Sequence, residues 1–315
     1  MAIFLRAVFY FRAACTCDYQ SLKVIIMAVI ILDVVISGLL LGGIYSLIAV
    51  GLSLQYGVAR VLNIAHGEFI MLGAFITWLL YAAFGINPLV SLAIVGPIVL
   101  IIGFILYRTL FNHLRISAAS PGAFEGNSML AAFGILFIIR NIVLSIWGAA
   151  PKTYSFLAFP VNVGGTVFAA NRLVTLGFAL AIGLVFYLFV ARTRLGKAIR
   201  AAAQDPVTAG QVGVNITRVL SICFGLGALM AGLGGTLTSM CYPIQATMGM
   251  QYTIIALIVV ALGGMGSIVG SYIGGFILGL IGSIVTQVEP GLALVAYYVI
   301  FMLLLLVRPT GILGK

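Results

Sequence analysis

The amino-acid sequence predicts an all-α protein, a polytopic integral membrane helical bundle with about eight to ten transmembrane segments. Of its 315 residues, 63% are apolar and only 7% are charged, whereas a soluble globular chain carries about 25% charged residues. The apolar residues also form runs long enough to cross a bilayer, which takes about 20 residues per helix. Helices are expected because an open strand edge would leave backbone groups unsatisfied in lipid.

Two of the apolar runs, 24–57 and 252–285, are too long for one straight span. The first is expected to form either one long kinked helix or two short helices that meet near Gly38, Gly42 and Gly43. The second should divide into two helical pieces, because a glycine-rich stretch interrupts it. The remaining runs are 67–84, 89–107, 128–147, 173–190, 219–240 and 291–307.

The basic residues predict the orientation of the bundle. Segment 192–218 holds five Lys and Arg residues and one acid, and cytoplasmic loops are enriched in Lys and Arg. By parity, loop 148–171 lies outside. The N-terminus lies inside if 24–57 forms two segments and outside if it forms one. Residues 1–23 are expected to be an N-terminal interfacial segment or an extension, and 24–315 a single transmembrane domain.

The composition excludes several classes of function. Six acidic and sixteen basic residues are too few to cover a water-soluble surface of this size, which argues against a cytosolic enzyme or a nucleic-acid binder. The chain has no G-x-x-x-x-G-K-[ST] motif, so it cannot bind ATP through a P-loop. Four Cys and two His fit no zinc spacing, and no metal or cofactor is expected.

A polar cluster, Asn63, His66, Gly67 and Glu68, lies where one apolar run stops and the next begins. Polar groups at membrane depth are costly and usually face a cavity or a partner. A helix broken there would point free N–H groups at the site. The alternative is an interfacial loop in which Asn63 caps the next helix, and the spacing favours neither.

A glycine-rich break occupies 263–267, and its candidate site residues are Gly263, Gly264, Gly266 and Ser267. Together with the break near 63–68, it interrupts two apolar runs in corresponding halves of the chain. Such paired breaks point to a transport pathway at a repeat interface, which both would line. The alternative is close helix packing through glycine alone.

Segment 192–216 is more structured than a plain connection requires. Residues 199–204 are helix-prone, and Asp205-Pro206 can end that helix and start a second one, with Asp at the cap and Pro at the first position. A short helix on the membrane surface is something a motor subunit could push, although an ordinary basic loop is the alternative. The candidate coupling residues are Arg200, Ala202, Ala203, Asp205, Pro206 and Gly213.

Three further charges lie in or beside apolar runs. Arg140 is expected to extend its guanidinium outward to the interface, or else to meet Asp33 or a carboxylate ligand. Glu289, before Pro290, is expected to be solvated at an outer turn. Asp33 alone is weak evidence for a proton relay.

Four motifs, in this order, resemble the membrane permeases of the branched-chain amino acid family of ABC importers, from about Val34 to Lys315. They are Tyr56-Gly57 with Leu62–Glu68, Arg200–Asp205 with Gly213–Asn215, Leu262–Gly270, and Arg308–Gly314. Residues 1–23 have no counterpart, and Gln204 stands where relatives often carry an acid. The resemblance implies a permease without a fused soluble domain. It also implies a second permease chain, two cytoplasmic P-loop ATPase subunits and a periplasmic substrate-binding protein as partners.

We therefore expect the permease subunit of an ABC-type importer that moves amino acids, branched-chain ones first, across the inner membrane. Permeases for urea, short amides or aromatic acids look much alike and remain alternatives. A proton-coupled secondary transporter, with Asp33, His66 and Glu68 as the relay, is the alternative of another class. An intramembrane enzyme would need a nucleophile or metal ligands at suitable spacing, which the chain lacks. The expected environment is the lipid bilayer, and no nucleic acid partner is expected.

Overall fold

A computed structural model describes residues 19–308 and 310–313 of the chain. Its long helices confirm the predicted bundle, because eight of those described are long and apolar enough to cross a membrane. The elements are α1 Tyr19–Ala59, α2 His66–Phe84, α3 Pro88–Leu106, a π-helical turn Tyr107–Phe111, α4 Asn112–Ser117, α5 Pro121–Trp147, β1 Pro160–Val163, β2 Thr166–Ala169, α6 Ala170–Arg192, α7 Arg194–Gln204, α8 Pro206–Gln211, α9 Ile216–Cys241, α10 Met248–Gly263, α11 Ile268–Val288, a 3-10 turn Pro290–Leu292, and α12 Ala293–Val307.

Helix α1 is one continuous helix of 41 residues, so of the two alternatives for 24–57 the single long helix is confirmed and the pair of short helices is wrong. Its glycines serve close packing against α11 and do not break the helix. A Cβ at Gly38 would lie 2.9 Å from Leu280 Cα, and a Cβ at Gly42 would lie 2.7 Å from Phe276 Cα. Small residues allow two backbones to approach in this way.

The prediction for 1–23 falls mostly on residues outside the described ranges, and Tyr19–Lys23 belong to α1. Because α1 crosses once, the same parity argument now predicts that α1 begins on the outside.

Helix α9 lies at the centre of the bundle, where it packs against α1, α2 and α3. Its glycines bring backbones together: a Cβ at Gly235 would lie 1.9 Å from Ile70 O, and a Cβ at Gly227 would lie 2.6 Å from Gly51 O. The outer helices expose apolar side chains instead, as at Leu306 of α12, which is 75% exposed. An apolar exterior over a tightly packed, glycine-lined interior is the arrangement expected in a bilayer.

Both predicted helix breaks are present. The first separates α1 from α2 at 60–65, and the second separates α10 from α11 at 264–267. Loop 148–169 also contains a β-hairpin that no sequence pattern predicted, in which Pro160 pairs with Ala169. The bundle has two ends: the hairpin end, which carries β1 and β2, and the α7–α8 end, which carries those two short helices.

Candidate functional site

The polar cluster is built around Gln55 of α1. The Gln55 amide donates to Phe224 O of α9 at 3.0 Å, and its carbonyl oxygen accepts from the Asn63 amide at 3.1 Å. His66 Nδ1 lies 3.2 Å from that same Gln55 oxygen, and His66 Nε2 donates to Ile48 O at 2.9 Å. Three helices and the connecting segment are therefore joined by side-chain contacts at one point.

The cluster lies deep in the bundle. Asn63 and Glu68 are 1% exposed and His66 is fully buried. The Ile48 carbonyl oxygen accepts the hydrogen bond from His66. Ile48 is eleven residues before the end of α1, which places it about 16 Å along the helix from that end. The segment 60–65 therefore folds back into the bundle before α2 begins.

The expectation that Asn63 caps the next helix in an interfacial loop is wrong. Ala65 occupies the cap position of α2 and provides no side-chain bond. The Asn63 amide donates to Gln55 instead, and the Asn63 Oδ1 atom is buried with no hydrogen bond to any described residue. A buried, bonded break indicates an internal junction between helices.

The start of α2 makes a close backbone contact with the start of α10. Gly67 N donates to Thr253 Oγ1 at 2.8 Å, and that hydroxyl is placed to donate to Ile64 O at 3.0 Å. A Cβ at Gly67 would lie only 1.8 Å from Gly249 O. Gly67 is therefore required by space, and no side chain could replace it without separating the two helices.

Glu68 faces the same contact. A Cβ at Gly249 would lie 2.4 Å from Glu68 Oε1, and Glu68 Oε2 is buried with no hydrogen-bond partner in the described part of the chain. Arg140 of α5 is half-buried. Its outward extension to the interface, or a contact with Asp33 or a carboxylate ligand, stays a prediction.

Three members of this site were missed in the sequence. Gln55 connects the cluster, Thr253 holds Gly67, and Gly249 makes room for Glu68. A signal existed for Gln55, because it is a polar amide inside the long apolar run 24–57. Thr253 and Gly249 gave none, since both residue types are common in transmembrane helices.

The glycine-rich break depends on backbone conformation. Gly264 has φ 99° and Gly266 has φ 85°, a region that L side chains rarely adopt. Gly263 ends α10 so close to α11 that a Cβ there would lie 2.3 Å from the Gly270 carbonyl carbon. Ser267 caps α11 by accepting from Gly270 N at 3.1 Å. All four predicted residues of the break thus have a structural reason.

The two breaks are related through α10 and through α1. Glu68 lies against the start of α10 at Gly249, whereas the glycine break follows the end of α10 at Gly263. Fourteen residues of helix separate Gly249 from Gly263 by about 21 Å. On α1 the distance is short, because Gly266 packs on Gly57, whose Cβ would lie 2.7 Å from Gly266 Cα, and Gly57 is two residues after Gln55. The glycine break therefore lies beside the Gln55 side of the polar cluster, and the contact between Gly67 and Gly249 lies deeper in the bundle.

Segment 192–216 folds as the sequence predicted, into two short helices divided at Asp205-Pro206. Asp205 Oδ1 accepts from Val207 N at 2.8 Å and from Thr208 N at 3.3 Å. The Thr208 hydroxyl donates to Asp205 Oδ2. This hydroxyl first, and then the two amides, hold the pKa of the Asp205 carboxyl below its usual value. Gly213, with φ 89°, turns the chain toward α9.

Helix α7 lies on the bundle by one face. Ile199 and Ala202 are buried, whereas Arg194 and Lys197 are exposed. Arg200 donates to Val190 O and, at 3.1 Å, to Ala191 O, and a cation is favourable at such a helix C-terminus. Ala202 is only 2% exposed, so among the predicted coupling residues it serves packing and cannot touch an external partner.

The α7 helix and the glycine break share one cleft of about 360 Å³. Ile199, Arg200 and Ala203 line it from α7, and Gly266–Val269 line it from the break. Ser53 and Gly57 of α1 complete its wall. Any displacement of α7 therefore bears directly on the break and on the end of α1.

Comparison with known proteins identifies the family to which this chain belongs. Residues 34–308 match the family described as branched-chain amino acid transport system / permease component. The chain belongs to this permease family. Among the described residues, no group of three or more His, Cys, Asp or Glu is placed to hold a metal ion.

Curated relatives agree with the family. The chain is 30% identical over 300 residues to the high-affinity branched-chain amino acid transport system permease protein LivH of Escherichia coli K12, covering 89% of this chain and 94% of LivH. It is 29% identical to BraD of Pseudomonas aeruginosa, covering 90% and 96%. It is also 25% identical to LivM of Salmonella typhimurium, covering 71% of this chain and 57% of LivM. These relatives carry the names of transport permeases, and the present chain is a multi-pass membrane protein of the same family.

Proposed function

We propose that this chain is the permease subunit of an ABC-type importer for amino acids, with branched-chain amino acids as the substrate class, in the inner membrane. Membership of the permease family and the printed names of LivH and BraD support the substrate class. Eight candidate spans support a transmembrane subunit. The chain performs no bond chemistry of its own in this proposal.

The proposed complex contains a second permease chain, two cytoplasmic P-loop ATPase subunits and a periplasmic substrate-binding protein. The similarity to both LivH and LivM, two permease proteins, supports a paired permease. Helices α7 and α8 are the proposed docking site for an ATPase, with Val207 70% exposed and Val212 76% exposed. Exposed apolar side chains on a basic surface loop are suited to contact another protein.

The cleft between α7 and the glycine break is the observation that carries the mechanism. ATP binding by the partner would shift the equilibrium between two arrangements of the bundle by displacing α7. The displacement would pass through Ile199 and Arg200 to Gly266 and the end of α1. Helix α1 and helix α10 both run from that level to the polar cluster, where His66 and Glu68 would open or close the path.

Cross-linking tests the docking site in the assembled complex. Cysteine introduced at Val207 or Val212 should form a cross-link to the ATPase subunit, because both side chains point away from the bundle. Ala209→Cys is the matched control on the same helix, since Ala209 is 4% exposed and should react poorly. Val167→Cys on the hairpin should not reach the ATPase. Labelling of Val212→Cys from outside intact cells would reverse the orientation and refute the docking site.

Reconstitution tests the function itself. Vesicles that contain this chain with its permease, ATPase and binding-protein partners should accumulate leucine, isoleucine or valine when ATP is supplied. The chain alone should hydrolyse ATP at background rate. Uptake driven by a proton gradient without ATP would replace this proposal by secondary transport.

A further inference from the structure

A second cleft, distinct from the cleft between α7 and the glycine break, opens between the end of α3 and the start of α9. It has a volume of about 550 Å³ and is lined by Phe104, Arg108, Asn215, Thr217, Arg218 and Ser221. The two helices touch just inside it, where a Cβ at Gly225 would lie 2.8 Å from Leu100 O. Beyond this contact they diverge, and α3 gives way to the π-helical turn that carries Arg108.

The cleft is a concentrated positive site. Arg108 and Arg218 come from different helices and both are exposed. Neither guanidinium has a hydrogen bond or an ion pair with any described residue, and none of the described carboxylates lines the cleft. Two like charges facing one space repel each other, and an anion between them removes that repulsion. Arginine pairs favourably with phosphate through two parallel N–H···O bonds.

The polar side chains of the cleft are not equally available. The side-chain oxygen of Asn215, Oδ1, accepts from Arg218 N at 3.0 Å, and the Ser221 hydroxyl donates to the backbone oxygen of Thr217 at 2.7 Å. The Thr217 hydroxyl has no bond within the described chain. One hydroxyl, the NH2 group of the Asn215 side chain and two guanidinium groups therefore remain to bind an incoming anion.

The surface beside the cleft indicates where the anion comes from. Ile101 and Ile105 of α3 are 54% and 52% exposed and lie one turn apart on one face, with Arg108 the next residue along it. In a membrane this apolar stripe faces acyl chains. The arginines then stand where the phosphate groups of the lipid begin, a position in which basic residues attract anionic lipid.

We infer that this cleft binds the phosphate headgroup of an anionic phospholipid, with the acyl chains lying along Ile101 and Ile105. The neighbouring cleft of about 660 Å³ offers an internal contrast. It also contains two arginines, Arg60 and Arg115, but Glu125 lines it with them. That cleft carries its own negative charge and has less need of an external anion.

Native mass spectrometry of the full chain tests the inference. Protein released from micelles with equal phosphatidylglycerol and phosphatidylcholine should retain phosphatidylglycerol selectively. Arg108→Gln with Arg218→Gln should reduce that retention by about tenfold or more, as expected when charge-assisted hydrogen bonds are lost. Arg108→Lys with Arg218→Lys should keep part of it through charge. Arg115→Gln, from the cleft with Glu125, is the control and should retain lipid as the parent chain does.

Melting temperatures in phosphatidylcholine alone show whether each variant folds, and the single Arg→Gln variants replace the double one if it does not. Equal retention of both lipids by the parent chain, or undiminished retention by the Gln variants, would overturn the inference. Inorganic phosphate provides the other source of the same chemistry. If millimolar phosphate stabilises the chain as much as phosphatidylglycerol does, the site binds free phosphate and the lipid assignment fails.

Discussion

The two helix breaks reach a similar result by opposite means. The break at 60–65 is closed by side chains: Gln55 is bonded to Asn63 and to Phe224 of α9, and His66 donates to Ile48 O of α1 and lies against Gln55. The break at 264–267 is closed by backbone conformation, through Gly264 and Gly266. The first is deep and tightly packed, and the second borders an open cleft beside α7. A buried junction fixed by side chains is suited to a gate, and a junction with a glycine backbone is suited to transmit movement.

Gly67→Ala should have the largest effect, because it strikes the deep junction where there is no space. Its Cβ would overlap Gly249 O, and overpacking of this kind costs about 1–3 kcal/mol of stability. We expect a lower melting temperature and loss of uptake together. Gly134→Ala in α5 is the control, since nothing lies within 4 Å of its added Cβ. An unchanged melting temperature for Gly67→Ala would show that the junction is looser than the contact implies.

Gly264→Val should separate transport from folding. The positive φ of Gly264 costs a side-chain-bearing residue about 1–3 kcal/mol, and the strain is confined to the short segment between α10 and α11. We expect uptake to fall strongly while the complex still assembles, measured by co-purification of the partners. Gly177→Val in α6, where an added Cβ meets nothing within 4 Å, should transport normally. Equal damage to assembly would mean that both breaks are simply structural.

A double-mutant cycle of His66→Ala and Gln55→Ala measures how far the deep junction acts as one unit. Each single change leaves buried polar partners unsatisfied, which costs about 1–3 kcal/mol. The double variant should cost less than the sum, with a coupling of about 0.5–3 kcal/mol for residues in one network. Thermal or denaturant unfolding in micelles provides the measurement. Strict additivity would show that the contacts act independently.

Glu68→Gln keeps the shape of the side chain and removes its charge, so it should affect uptake more than stability. We expect slower transport at a nearly unchanged melting temperature, because the buried carboxylate lies against Gly249 and its Oε2 atom has no hydrogen bond within the described chain. Arg140→Gln should produce a similar defect if the two charges act together. Normal uptake by both variants would show that neither charge takes part in the gate.

Asp205→Asn should have the smallest effect, and it addresses the loop that borders the glycine break. The pKa of Asp205 is lowered in the folded chain by Thr208 and the two amides. Its contribution to the cap is therefore complete above the ordinary carboxyl pKa of about 4 and is lost as the pH falls through the lowered value. The protection of the Val207 and Thr208 amides against hydrogen exchange, relative to their intrinsic rates at each pH, should fall in that acidic range for the parent chain and not for Asp205→Asn. Equal acid sensitivity in both would assign the change to another group.

The sequence predicted those features that are encoded locally. Asp205-Pro206 predicts a cap and a first helical turn, and the glycines at 263–267 predict a break. Both features depend only on residues that are neighbours in the sequence. The continuity of α1 was not predictable, since Gly38 and Gly42 can either break a helix or pack against one. The choice is made by α11, some 240 residues further along the chain.

The polar cluster was found by its composition, but its partners were not. Asn63, His66 and Glu68 are conspicuous in an apolar sequence, whereas the role of Gln55 appears only when α1 lies beside α2 and α9. The expectation that both breaks line one pathway stays a prediction. The length of α10 sets the distance from Gly249 to Gly263, whereas Gly57, two residues after Gln55, lies against Gly266. Pairing by motif considers neither contact.

The last described residues of the chain are hydrogen-bonded to the end of α10. Ile312 N donates to Leu262 O at 2.8 Å and Leu313 N donates to Gly263 O at 3.2 Å, which satisfies carbonyls that a helix end leaves open. Gly311, at φ 80°, makes this approach possible beside Ala261 O. During synthesis these residues leave the ribosome after helices α1 to α12. The glycine junction can therefore be completed only after α12 has been synthesised, and until then those carbonyls must find water or another partner.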